Sequence, residues 1–88
     1  MSEPKVLVYT TDPCGYCRMA KMLLEKKGIA YEERIVFGGT PEWEEMMNLT
    51  GGAKTVPQII IDGKPVGGYP ELLQLQQSGE LDSLLTPA

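Results

Sequence analysis

The chain has 88 residues, 42% of them hydrophobic and 23% charged, with a net charge of −4 and a pI near 4.7. That length and composition fit one globular domain with a modest core, expected to span residues 1–88, and exclude a disordered chain. The acidic balance argues against general nucleic-acid binding, which needs a basic surface. With no long apolar run, and with Ser2, Glu3 and Pro4 opening the chain in place of a basic and apolar leader, no membrane association is expected and the cytoplasm is the expected compartment.

Lys5-Val6-Leu7-Val8-Tyr9-Thr10 is an almost unbroken β-branched and aromatic run and predicts a central, buried strand. Thr11-Asp12-Pro13 is a turn, with Asp12 a candidate cap. A helix is predicted from Gly15 to Lys27, with Cys17, Ala20 and Leu24 as its buried stripe, widened by Met19, Met22 and Leu23, and with Gly28 as its left-handed stop. Ile29 to Ile35 predicts a second strand, parallel to the first because a helix connects them. Thr40 and Pro41 are a cap and first position for a second helix, whose first turns carry Glu42, Glu44 and Glu45. Trp43, Met46, Met47 and Leu49 are its expected buried side and Gly51-Gly52 its end. After Thr55-Val56-Pro57-Gln58 comes the apolar strand Ile59-Ile60-Ile61. Asp62-Gly63 marks a tight hairpin into Lys64 to Val66. Pro70 to Ser78 is a third helix ending at Gly79, and a short turn, Glu80 to Leu85, is expected to pack Leu81, Leu84 and Leu85. The order β-α-β-α-β-β-α is an α/β fold: a four-stranded mixed sheet flanked by helices. The glycine pattern of a dinucleotide-binding domain is absent.

The chemistry lies at the end of the first strand. Cys14 and Cys17 are the only cysteines, separated by Gly15 and Tyr16 at a strand-to-helix junction, the signature of a thiol–disulfide redox site. Residues three apart share a helical face, so the two sulfurs can meet. At the first turn Cys14 faces unpaired N–H groups and the positive end of the helix dipole. Both favour a thiolate, moving the thiol from about 8.5 toward a range of roughly 3.5–7.5. The thiolate attacks disulfides, and Cys17, one turn inward, suits the resolving role. Arg18, four residues after Cys14, shares its face and is a candidate partner for an anion. A zinc site within one chain would need four ligands, and there is no histidine and no second cysteine pair.

Tyr9-Thr10 through Cys17, Thr55-Val56-Pro57-Gln58, and Gly67-Gly68 ahead of Glu71-Leu72 occur in the order and spacing of the glutaredoxins, and the run Leu75 to Leu81 is also similar. The chain therefore resembles a dithiol glutaredoxin of the thioredoxin-like fold along nearly its whole length. The resemblance implies a glutathione-dependent thiol–disulfide oxidoreductase, monomeric, acting on protein disulfides and glutathione mixed disulfides. Cys14 would be the nucleophile and Cys17 the resolving thiol. Pro57 would be a cis-proline facing the pair. Thr55 and Val56 would lie along glutathione, with the Val56 backbone on its cysteinyl part. Tyr16 would flank the bound peptide, Lys54 would stand near the glycyl carboxylate, and the backbone from Gly68 through Tyr69 to Glu71 would hold the γ-glutamyl end, a helix N-terminus being suited to an anion.

Three departures from the family pattern bear on that expectation. Gly15 replaces a common proline, Thr11 a common lysine, and Pro70 a common serine or aspartate. Pro70 has no N–H to donate, and Thr11 offers no charge-assisted bond. Two other functions follow from these departures. One is a thioredoxin-like electron donor reduced by a flavin enzyme. The other is an iron–sulfur cluster carrier, in which Cys14 and glutathione thiolates hold the cluster across a dimer. The cluster is not the default expectation, and no metal-binding residue is expected otherwise.

Overall fold

The computed structural model describes residues 5–85, and for Leu85 the backbone alone. The elements in chain order are β1 (Val6–Thr10), α1 (Gly15–Lys26), β2 (Glu32–Ile35), α2 (Pro41–Thr50), β3 (Gln58–Ile61), β4 (Lys64–Gly67), α3 (Tyr69–Ser78) and α4 (Glu80–Leu85). The four strands form one mixed sheet in the order β2-β1-β3-β4. β1 pairs in parallel with β2, Leu7 opposite Glu32, and antiparallel with β3, Val8 opposite Ile59. β3 and β4 close a hairpin whose turn residues, Asp62 (φ 52) and Gly63 (φ 77), both take the left-handed conformation that a two-residue turn of this kind requires.

β1 is buried along its whole length because both faces of the sheet are covered. On one side Val6, Val8, Ile59 and Ile61 meet Ala20 and Leu24 of α1, Leu72 of α3 and Leu81 of α4. On the other, Leu7, Tyr9 and Ile60 meet Met46 of α2 and Val36. The alternation of strand side chains splits a continuous apolar run between two cores. This arrangement leaves the C-terminal end of β1, where the cysteines lie, at the junction of α1, β3 and α3.

Several expectations are corrected. The second strand begins at Glu32, not Ile29: α1 unwinds through Gly28 (φ +72), and the Ile29 N–H returns to the Leu24 carbonyl at 2.9 Å. Ile29 and Tyr31 then pack against the first core instead of pairing. Asp12 does not cap α1. Cys14 does, its sulfur accepting from the Cys17 N–H. Met19 and Met22 are not core residues, being 44% and 60% exposed, because α1 buries only the narrow stripe Cys17-Ala20-Leu24. Leu49 and Leu84 are also exposed. The final turn is a fourth helix that buries Leu81; the packing expected of the Leu85 side chain lies outside the described residues. Among the described residues no helix is long and apolar enough to cross a membrane.

Candidate active site

Cys14 is the N-cap of α1, in extended conformation (φ −157, ψ 108). A cap side chain normally accepts from the N–H two or three residues on, and here the acceptor is sulfur: Cys17 N–H donates to Cys14 Sγ at 3.1 Å. The pair is joined as a disulfide with Cα atoms 5.3 Å apart. The two sulfurs differ in access, Cys14 being half-buried and Cys17 only 2% exposed. α1 has no acidic residue in its first turn, so nothing there opposes negative charge on Cys14 once the disulfide is reduced.

The loop ahead of β3 faces this pair across the chain. The Val56–Pro57 peptide is cis, as expected, and the Val56 carbonyl oxygen lies 3.9 Å from Cys14 Sγ. Gln58, 6% exposed, ties the loop down by donating its amide to the Thr55 carbonyl at 2.9 Å. On the far side, Gly68 approaches so closely that an added Cβ would sit 3.3 Å from the Pro57 carbonyl oxygen. Gly67 (φ +124) turns the chain into α3, and a Cβ there would meet the Glu71 side chain at 2.8 Å. Glycine at both positions is what lets the start of α3 lie against the cis-proline loop.

Tyr16, Thr55, Val56, Pro57, Gly68, Tyr69, Pro70 and Glu71 thus converge on one groove of about 470 Å³, together with Gln58 and Gly67. The Tyr16 and Tyr69 rings both line it, with centroids 6.2 Å apart. Lys54 is the one predicted binding residue not in the groove wall; it is exposed, one residue before Thr55. Arg18 is exposed, and among the described residues it has no ion-pair partner.

The donors at the start of α3 can be counted. The first turn of a helix leaves its N–H groups without intrahelical partners. Leu72 N–H makes the first intrahelical bond, to Gly68 O. Gly68 N–H is taken by the Glu71 carboxylate at 2.7 Å, a closure familiar from capping boxes. Pro70 has no N–H, which leaves those of Tyr69 and Glu71 for an anion. The engagement of Glu71 with Gly68 was not foreseen. Its signal, a glutamate three residues after a cap position, is present in the sequence. The second cis peptide, Asp12–Pro13, was also unforeseen.

Two polar clusters brace the strand that carries the site. Thr10 Oγ1 donates to Glu33 Oε2 at 2.7 Å, and Lys21 Nζ donates to the same oxygen at 2.8 Å. The Lys21 ammonium, and then the Thr10 hydroxyl, hold the Glu33 carboxyl below the usual carboxylate range. This ties α1 and β2 to the end of β1. On the opposite face the Tyr9 hydroxyl donates to Glu45 Oε1 at 2.7 Å, and Arg34 bridges Glu45 and Glu32. Burial, reinforced by Glu45, pushes Tyr9 up to about 12. Among the described residues no three His, Cys, Asp or Glu side chains gather as a metal site.

Residues 6–66 match the model of the glutaredoxin family. The chain is 48% identical over 81 residues to glutaredoxin 1 of Rickettsia conorii, covering 91% of this chain and 79% of that protein. Among solved structures it is similar to a glutaredoxin from Brucella melitensis (42% identity, TM-score 0.77, covering 97% of this chain and 91% of the other). It is also similar to a buckwheat glutaredoxin–glutathione complex (26% identity, TM-score 0.81, covering 93% and 76%).

Proposed function

The chain belongs to the glutaredoxin family of thiol–disulfide oxidoreductases, and on that premise we propose that Cys14 and Cys17 are its catalytic pair and glutathione its reductant. The observation that carries this reading is the asymmetry of the pair. The half-buried sulfur caps its own helix and faces the cis-proline loop, while its buried partner lies within bonding reach.

With the pair reduced, the Cys17 N–H that already donates to Cys14 Sγ stabilises a thiolate, as does the helix dipole. On a glutathione mixed disulfide, the Cys14 thiolate bonds to the glutathione sulfur and the substrate cysteine leaves as a thiolate, taking a proton from water. A second glutathione thiolate then attacks that sulfur, releasing glutathione disulfide and restoring Cys14. On a protein disulfide, Cys14 bonds to one substrate sulfur and the other leaves. Cys17 then attacks Cys14, freeing the substrate and closing the Cys14–Cys17 disulfide, which two glutathiones reopen.

The groove is assigned to glutathione. The Val56 backbone would meet its cysteinyl part beside Pro57 and Thr55, Tyr16 and Tyr69 would flank it, and the N–H groups of Tyr69 and Glu71 behind Gly68 would receive the γ-glutamyl carboxylate. Lys54 would reach the glycyl carboxylate from outside the wall. The similar buckwheat protein, solved as a complex with glutathione, supports the assignment. A cysteine pair that must be reduced to act suits a reducing compartment such as the cytoplasm.

The test is turnover of a small glutathione mixed disulfide with glutathione, glutathione reductase and NADPH. Cys14→Ser is expected to abolish it, and Cys17→Ser to retain it while losing activity on protein disulfides. Full activity of Cys14→Ser on the mixed disulfide would overturn the assignment.

A further inference from the structure

A second groove, of about 740 Å³, runs between α1 and α3 and opens next to the first. Met19, Met22, Leu23 and Lys26 of α1 line it, facing Tyr69 and Gln76 of α3. Tyr69 belongs to both grooves, and its ring is paired with that of Tyr16. The two grooves therefore adjoin at the tyrosine pair.

Successive members of the series Tyr16, Met19, Leu23 and Lys26 are three or four residues apart, so they form one stripe along α1. The stripe starts beside the reactive sulfur, is apolar through its middle and ends on a cation. Met19 and Met22 stand 44% and 60% exposed, although nothing in the fold requires thioethers there. Flexible, polarisable methionine suits a surface that accepts varied apolar side chains. The charges at the far end are unequal in freedom. Lys27 is bound to Asp82, and Glu25 accepts from the Tyr31 hydroxyl. Among the described residues Lys26 has no ion-pair partner.

We propose that this α1/α3 groove docks the polypeptide flanking the reactive cysteine of a protein disulfide substrate, and selects apolar residues near that cysteine with an acidic residue beyond them. The inference rests on the reading of Cys14 as the nucleophile. The spacing follows from geometry. Cys14, which bonds the substrate sulfur, and Lys26 are separated by about 18 Å along the helix at about 1.5 Å per residue. An extended segment advances about 3.3 Å per residue, so the acidic residue lies about five to six residues from the substrate cysteine.

The experiment uses the full chain as Cys17→Ser, reduced beforehand, and peptides whose single cysteine is activated with thionitrobenzoate. Cys14 bonds to the peptide sulfur, thionitrobenzoate leaves as the coloured thiolate, and intact mass identifies the peptide on Cys14. No glutathione is needed, so failure of glutathione as reductant leaves this test standing. Peptides carry leucine two residues from the cysteine and glutamate, glutamine or lysine at the fifth position, on either side. The glutamate peptide on one side is expected to react about fivefold faster than its lysine counterpart, a preference that fades at high salt. Lys26→Glu should reverse that order. Met22→Glu should slow all peptides, and both variants should keep the wild-type rate with activated free cysteine. Equal rates for the three peptides on both sides, or a Lys26→Glu change that is the same for every peptide, would overturn the proposal. So would a Cys14 that fails to react even with activated cysteine, which would remove the catalytic assignment as well.

Discussion

Replacing Pro70 by alanine restores one N–H to the first turn of α3 and changes little else. In the wild type the Gly68 N–H is bound by the Glu71 carboxylate at 2.7 Å, and Pro70 contributes no donor, so Tyr69 and Glu71 supply the only first-turn N–H groups open to a ligand carboxylate. A hydrogen bond to a charged group contributes about 1.5–3 kcal/mol. The start of α3 is partly exposed, which favours the lower end, and about 1.4 kcal/mol is a tenfold change in an equilibrium constant. Pro70→Ala is therefore expected to lower KM for glutathione by about tenfold, with kcat on a small mixed disulfide changed much less. Loss of a proline early in a helix costs only about 0.4–1 kcal/mol through the unfolded chain, so the fold should persist. The assay is steady-state turnover coupled to glutathione reductase over a range of glutathione concentrations, with urea denaturation alongside. A folded Pro70→Ala with an unchanged KM would show that the γ-glutamyl carboxylate does not sit at the start of α3.

Gly68→Val should impair glutathione turnover more than stability, because its Cβ would lie 3.3 Å from the Pro57 carbonyl oxygen and push the cis-proline loop away from Cys14; unchanged KM and kcat would refute this. The Glu33 carboxyl is held below its ordinary range by Lys21 and Thr10. Its contribution is therefore complete above the ordinary carboxylate range and disappears as the pH falls through its folded value. Glu33→Gln should cost about 0.5–1 kcal/mol at pH 7, with the gap to wild type closing in acid; urea midpoints at several pH values check it, and a gap constant down to pH 3 would count against the network. Leu24→Ala, at a fully buried position where α1 meets β1 and β3, should cost about 2–5 kcal/mol, read from the same denaturation curves, and a loss under 1 kcal/mol would mean that α1 is not anchored there.

What the amino-acid order determined by itself was everything set by neighbours a few residues apart. Thr40 and Pro41 start α2, with Thr40 accepting from the Trp43 N–H. Gly51 and Gly79 end α2 and α3 in the left-handed conformation. Asp62-Gly63 turns the hairpin, and Cys14 and Cys17 share the first turn of a helix. Each is a local free energy, expressed wherever the segment sits, and the resemblance added the cis bond at Pro57. Tertiary structure decided the rest, because it depends on which distant surfaces meet. Apolarity alone marked Met19 and Met22 for the core, yet α1 had room against the sheet only for Cys17, Ala20 and Leu24. Only packing brings Val56, 42 residues on, to Cys14, joins the Tyr16 and Tyr69 rings, and turns the Glu71 carboxylate onto the Gly68 N–H.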